Sequence, residues 1–174
     1  FEPASSIHEA LREAVSPFGE RVRCHRIAFG SEPAQAPFIV QNKLSRIPRP
    51  GEDGSGREME TVEVDTIDAF CLREGLPRVG FLKIDTEGHD LEVLRGAAGM
   101  LERAAIDLVQ VEAGFNPGNT LHVPIETLKA HLEGFGYLPL GIYNQMYEWP
   151  THEPQLRRAD VVFVSPAARR PLAA

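Results

Sequence analysis

The sequence predicts an α/β domain with a largely parallel sheet and helices on both faces. Two observations carry that prediction. Phe81-Leu82-Lys83-Ile84 is a short apolar run that ends abruptly in Asp85-Thr86-Glu87-Gly88. Asp90 to Arg103 then places Leu91, Val93, Leu94, Ala97, Ala98 and Leu101 at helical spacing, so strand, acidic turn and helix follow one another. The pattern repeats downstream, where Ile106 to Glu112 is a second apolar run ending in an acid, with a loop and a helix after it. Strands that alternate with helices need crossover connections, and these make neighbouring strands parallel.

The elements read in order as follows. Ala4 to Val15 is a helix, with Ser6 and Glu9 spaced as a capping box. Ser16-Pro17-Phe18-Gly19 stops it, and Arg21 to Phe29 is a strand with imperfect alternation. After a turn at 30–33, Phe38 to Val40 is a short strand. Lys43 to Glu60 is rich in turn formers and poor in core residues, which makes it a long surface loop or a lid over a site. Thr61 to Val64 is a strand, and Asp65 or Thr66 caps a short helix that runs to Arg73. Val79 to Asp85 and its helix 90–103 follow, then the strand 106–112, a loop 113–121, and a helix 124–135 with Pro124 in its first turn. Leu138 to Tyr143 and Ala159 to Val164 close the domain. No helix separates these two strands, so they are expected to pair antiparallel. Residues 1–165 form the one domain that the length allows, and 166–174 are a surface tail.

Bulk properties narrow the function. A composition of 43% hydrophobic and 25% charged residues is that of a globular domain with a sizeable core. A net charge of −7 argues against a nucleic-acid partner, which needs a basic face. No apolar run reaches the roughly 18 residues of a membrane span, and nothing at the start resembles a signal peptide. Cys24 and Cys71 lack metal-ligand spacing and read as buried thiols in a reducing compartment, with a disulfide between them as the alternative. A cytoplasmic protein with neither nucleic-acid nor membrane partners is expected; oligomeric state is left open. Phe1-Glu2-Pro3 reads as the end of a strand, so further residues are expected upstream.

Several segments together resemble the FkbM-type S-adenosylmethionine-dependent methyltransferases. They are Phe1-Glu2-Pro3, Arg26-Ile27-Ala28-Phe29-Gly30, Val64-Asp65-Thr66-Ile67-Asp68, Leu82-Lys83-Ile84-Asp85-Thr86-Glu87-Gly88, Glu92-Val93-Leu94-Arg95-Gly96-Ala97, Gly136-Tyr137 and Asp160-Val161-Val162-Phe163-Val164. The resemblance implies a Rossmann-like class I methyltransferase sheet, mostly parallel with its last strand antiparallel. It implies S-adenosyl-L-methionine as cofactor. Glu2 would accept from the ribose hydroxyls, and Ala28 and Phe29 would lie near the adenine; Asp85, at its strand tip, could face the methyl group or the acceptor hydroxyl. The family's first strand and its glycine-rich loop precede the Phe-Glu-Pro segment and are not in these residues. The 174 residues by themselves are therefore expected to bind cofactor poorly.

In open α/β sheets ligands bind beyond the carboxyl ends of the strands. Asp85, Glu87 and Glu112 stand at such ends, and His89 beside them is a candidate general base. Their plainer roles are to bond loop N–H groups or to face solvent. Asp85, Glu87 and Glu112 could together hold Mg²⁺, although no spacing requires a metal and none is assigned. Asn116, Asn119 and His122 lie on the same rim and could bind a polar acceptor, or simply make turns. Tyr143, Tyr147 and Trp149 could stack on a sugar ring, or pack the sheet edge. The expected reaction is O-methylation of a hydroxyl on a small-molecule or glycan acceptor, such as a sugar or secondary metabolite. Two rivals are a methyltransferase-like domain that binds a partner protein without catalysis, and an NAD-dependent oxidoreductase. The second lacks any G-x-G-x-x-G.

Overall fold

The structure is a computed structural model that describes residues 1–41, 44–49 and 51–169. Among the described residues, seven strands form two sheets. The first contains β1 (Ala28–Phe29), β2 (Ala34–Val40) and β3 (Glu58–Asp65), in the order β1-β3-β2. The second contains β4 (Val79–Ile84), β5 (Ile106–Gly114), β6 (Leu138–Tyr147) and β7 (Leu156–Val164), in the order β4-β5-β7-β6. The pairs β1–β3 and β4–β5 are parallel. The pairs β2–β3, β5–β7 and β6–β7 are antiparallel.

The sheets are thus mixed, and the expectation of a mostly parallel sheet is corrected. The reason is connectivity. Among the described residues no helix separates β2 from β3 or β6 from β7, and such strands return alongside each other. The last strand, β7, does run antiparallel, between β5 and β6.

Among the described residues the strands are accompanied by five α-helices: α1 (Ser5–Val15), α2 (Ile67–Arg73), α3 (Asp90–Arg95), α4 (Ala98–Glu102) and α5 (Ile125–Gly134). Three local expectations are overturned. The Ser6–Glu9 capping box does not form, because the cap falls two residues earlier, at Ala4. Its free N–H groups are met from outside the helix. Glu2 Oε1 accepts from Ala4 N at 2.9 Å, and Glu60 on β3 accepts from Ser5 N at 3.1 Å and from Ser5 Oγ at 2.9 Å. The strand expected over 21–29 shrinks to Ala28–Phe29, with a 3₁₀ segment over Ser16–Arg21. The single helix expected over 90–103 is broken at Gly96-Ala97 into α3 and α4. Asp68 caps the second piece, accepting from Gly99 N at 2.7 Å and Met100 N at 2.8 Å. The cap predicted for α2 is present: Thr66 Oγ1 accepts from Ala69 N at 3.0 Å.

The main core lies between the second sheet and α2–α5. Leu94, Leu101, Ile106, Val109, Leu128, Leu132 and Phe163 are each 0% exposed within it. Tyr137 is also fully buried and donates its hydroxyl proton to the Ile106 carbonyl at 2.7 Å, the partner that a buried phenol needs. A smaller cluster of Ala4, Phe38, Val62 and Val64 packs under α1. Ser165, the last residue before the expected surface tail, is buried and donates its N–H to the Asp107 carbonyl at 2.9 Å. Residues 170–174 of that tail lie outside the described residues. No helix among the described residues is long and apolar enough to cross a membrane. Both cysteines are free thiols, Cys71 buried and Cys24 partly so.

Candidate functional site

A cleft of about 280 Å³ opens past the ends of β1 and β4. Glu2, Ala28, Phe29, Asp85, Thr86 and His89 all line it. Aromatic packing sets its first wall. The Phe1 ring stacks on His25 at 5.2 Å and meets Phe29 and Phe70 edge-on at 4.6 and 4.9 Å. Glu2 N donates to the His25 carbonyl at 3.1 Å, which holds the Glu2 carboxylate against the cleft. On the other wall, Asp85 is exposed and pairs with Lys83 Nζ at 2.5 Å. His89 precedes α3 and packs toward Gly30, where a Cβ would come within 3.3 Å of Nε2. Burial pushes the His89 imidazole below its ordinary pKa, which leaves it neutral and able to accept a proton near pH 7.

Glu87 and Glu112 do not join Asp85. They converge instead on His122, from the loop after β5. Glu87 has φ +54° and Gly88 has φ +104°. These two left-handed residues turn the β4–α3 loop down onto that second loop, so tightly that a Cβ on Gly88 would stand 2.2 Å from the Leu121 carbonyl oxygen. His122 Nε2 then lies 2.8 Å from Glu112 Oε2 and 3.5 Å from Glu87 Oε2. The other Glu112 oxygen is paired with Arg158. Asn119 serves this cluster: its amide bonds His122 Nδ1, its Oδ1 accepts from Leu121 N at 3.2 Å, and its Nδ2 donates to the Arg157 carbonyl at 3.0 Å.

Sequence reading overlooked Asp90, since an acid at a helix start looks like ordinary dipole complementation. It is 1% exposed, accepts from Thr86 Oγ1 at 2.7 Å, and leaves Oδ1 without a hydrogen bond. Burial pushes its pKa up to about 6. The fold therefore binds a proton that the unfolded chain, titrating near 4, releases. The group's favourable contribution is full below about pH 4 and is lost as pH rises through about 6. Asp90→Asn should remove this loss and raise stability at pH 8 by on the order of 2 kcal/mol. Urea unfolding in EDTA at pH 5 and pH 8 checks it, and equal pH slopes for both proteins would refute it.

The remaining predicted positions are occupied in other ways. Asn116 Nδ2 donates to Glu148 Oε2 at 3.2 Å and to the Leu156 carbonyl at 2.9 Å. Arg157 donates to Glu148 at 2.9 Å and lies over the Trp149 ring at 4.8 Å. Asn116 and Trp149 thus brace the β6–β7 connection, while Tyr147 is exposed at the end of β6. The 43–60 segment, of which Lys43 and Pro50 lie outside the described residues, is fastened at its centre. Glu52 accepts from Arg46, from Arg49 N at 3.2 Å and from Arg57 at 2.7 Å. The Arg46 guanidinium above all holds its carboxyl far down, at about 2. Arg49 reaches on to the Thr120 carbonyl, so this segment straps across to the His122 loop.

The methyltransferase FkbM domain matches residues 20–138, well over half of the chain. The hexuronic acid methyltransferase AglP of Haloferax volcanii is 32% identical over 57 residues, which are 33% of this chain and 24% of AglP. The match therefore spans about a quarter of that relative's length. No solved structure matches the chain.

Proposed function

Since this chain belongs to the methyltransferase FkbM domain family, we propose that it serves S-adenosylmethionine-dependent methyl transfer to a hydroxyl of a sugar or secondary metabolite. The observation that carries this reading is the cleft in which Glu2, Ala28, Phe29, Asp85 and His89 meet past the ends of β1 and β4. The parallel β4–β5 pair and the antiparallel last strand support a Rossmann-like class I methyltransferase arrangement. The hexuronic acid in the relative's name favours a polar carbohydrate acceptor.

The cleft's donor set fits the cofactor. When bound, the cofactor supplies an electrophilic methyl on a sulfonium. Glu2 is a carboxylate able to accept from two vicinal ribose hydroxyls, and Ala28 with Phe29 gives the adenine an apolar wall. His89, neutral because it is buried, takes the proton from the acceptor hydroxyl as the oxygen becomes nucleophilic. Asp85 lines the cleft with Lys83 paired to it, so it offers a ligand a carboxylate oxygen rather than a free negative charge.

Calorimetry with S-adenosylmethionine tests the reading, on this chain and on a form extended upstream. The extended form should bind, and Glu2→Gln, which keeps an oxygen for Ala4 N, should weaken binding about tenfold or more. No binding by either form rejects the reading. A second reading, a methyltransferase-like domain that docks a partner protein, has one observation in its favour. β6 is an edge strand whose Leu140 and Tyr147, with Trp149 just beyond, are 57, 58 and 52% exposed.

A further inference from the structure

We infer that Glu87, Glu112 and His122 form a site for a divalent cation of intermediate hardness, in the class of Mn²⁺, Fe²⁺, Co²⁺ and Zn²⁺. One ligand atom from each residue lies within 4.8 Å of the others. Proximity of acids alone would mean little. The stronger observation is that these same three atoms, Glu87 Oε2, Glu112 Oε2 and His122 Nε2, are buried and have no hydrogen-bond partner. Glu112 is 6% exposed and His122 7%. The 2.8 Å approach of Nε2 to Glu112 Oε2 is close enough for a hydrogen bond, yet the pair fails its geometry. Three buried lone-pair atoms within 4.8 Å of one another, none of them in a hydrogen bond, cost free energy unless something positive meets them.

The surroundings are arranged as a metal site needs. Asn119 presents both Nδ2, at 2.9 Å, and Oδ1, at 3.0 Å, to His122 Nδ1, and in the Nδ1–H tautomer the bond runs to Oδ1. A proton on Nδ1 donated there leaves Nε2 as a bare acceptor pointing inward, the usual outer-shell arrangement for a ligating imidazole. Arg158 occupies the other Glu112 oxygen and turns Oε2 toward the cluster. Two carboxylates and an imidazole suit borderline ions better than Mg²⁺, which prefers oxygen alone. Three protein ligands leave coordination positions open for water or for the oxygens of a second ligand. The inference needs only these donor atoms and does not depend on methyl transfer.

The test is binding of the metal alone. The protein is stripped with EDTA, then titrated with Co²⁺ followed by visible absorption and with Mn²⁺ followed by calorimetry. One ion per chain is expected, with ligand-field bands of mixed oxygen and nitrogen coordination. Glu87→Gln should weaken binding at least 100-fold, and Asn119→Ala roughly 10- to 100-fold. Glu87 Oε2 has no hydrogen bond to lose, so its variant should be no less stable than wild type in EDTA and keeps the test decisive even where His122→Asn fails to fold. His152→Ala, at an exposed turn, should bind as wild type does. No saturable binding overturns the inference, and so does binding of unchanged strength in Glu87→Gln.

Discussion

Gly96→Ala is expected to leave this chain without a cooperatively folded state at 25 °C. Gly96 joins α3 to α4, and a Cβ placed on it would stand 2.0 Å from the Gly30 carbonyl oxygen, 3.1 Å from the Gly30 carbonyl carbon and 3.2 Å from Thr66 Cβ. The first two obstacles are backbone, which cannot swing aside as a side chain can. Its own carbonyl accepts from Asp68 N at 3.0 Å, so the start of α2 is tied to the same point. Relief requires the α3–α4 junction to part from the turn after β1, while the adjoining Leu94 and Ala97 are 0% exposed in the core. Overpacking ordinary cores costs about 1–3 kcal/mol. A clash against backbone on one side and a packed core on the other should exceed that range, and it removes much of a typical stability of about 5–15 kcal/mol. Gly134→Ala is the matched contrast. Gly134 ends α5 with nothing within 4 Å of the added methyl, so that variant should gain up to about 1 kcal/mol. Urea unfolding by circular dichroism reads both. A Gly96→Ala protein with wild-type cooperativity would show that the helix junction is looser than its geometry.

The same glycine shows where sequence reading stops. The helical period runs unbroken from Leu91 to Leu101, so one helix is the natural local inference. The break comes from Gly30, 66 positions away, and no window of local sequence contains it. Buried central strands fare better: β5 has no exposed position along its length, and its near-continuous apolar run announced it. Residues 22–27 alternate poorly, and among the described residues they find no strand ladder. Capping divides along the same line. Thr66 caps from within its own helix and was legible; α1 is capped by Glu60 from β3 and was not. In the candidate site, Asp85, Glu87 and Glu112 were visible as acids at strand ends. Their partition was not. Lys83 pairs with Asp85 on the cleft wall, while the approach of Gly88 to Leu121 delivers Glu87 to His122. That approach is a tertiary fact, and Gly88 alone signals only a turn.

Arg158→Ala should be the most damaging single change at the site, at a cost of about 3–5 kcal/mol in EDTA at pH 8, because removing one partner strands a buried charge. Glu112 is 6% exposed, and its cross-strand neighbour on β7 is another buried acid, Asp160. Residues directly opposite in an antiparallel pair share a face, so the two carboxylates oppose each other. Asp160 is met by the neutral donors Gln110 and Asn144, at 2.9 and 2.6 Å. The charge on Glu112 is met by Arg158. Glu112→Gln should cost much less, since the Arg158 side chain is 29% exposed and can turn to water. Adding Glu112→Gln to Arg158→Ala should therefore restore a large part of the loss, and the double-mutant cycle should give a coupling of about 1.5 kcal/mol or more. If Arg158→Ala instead lies within about 1 kcal/mol of wild type, the loss expected for an uncompensated buried charge is missing. Glu112 would then hold its proton in the folded chain, and a protonated carboxyl offers neither an ion-pair partner to Arg158 nor a ligand to a cation.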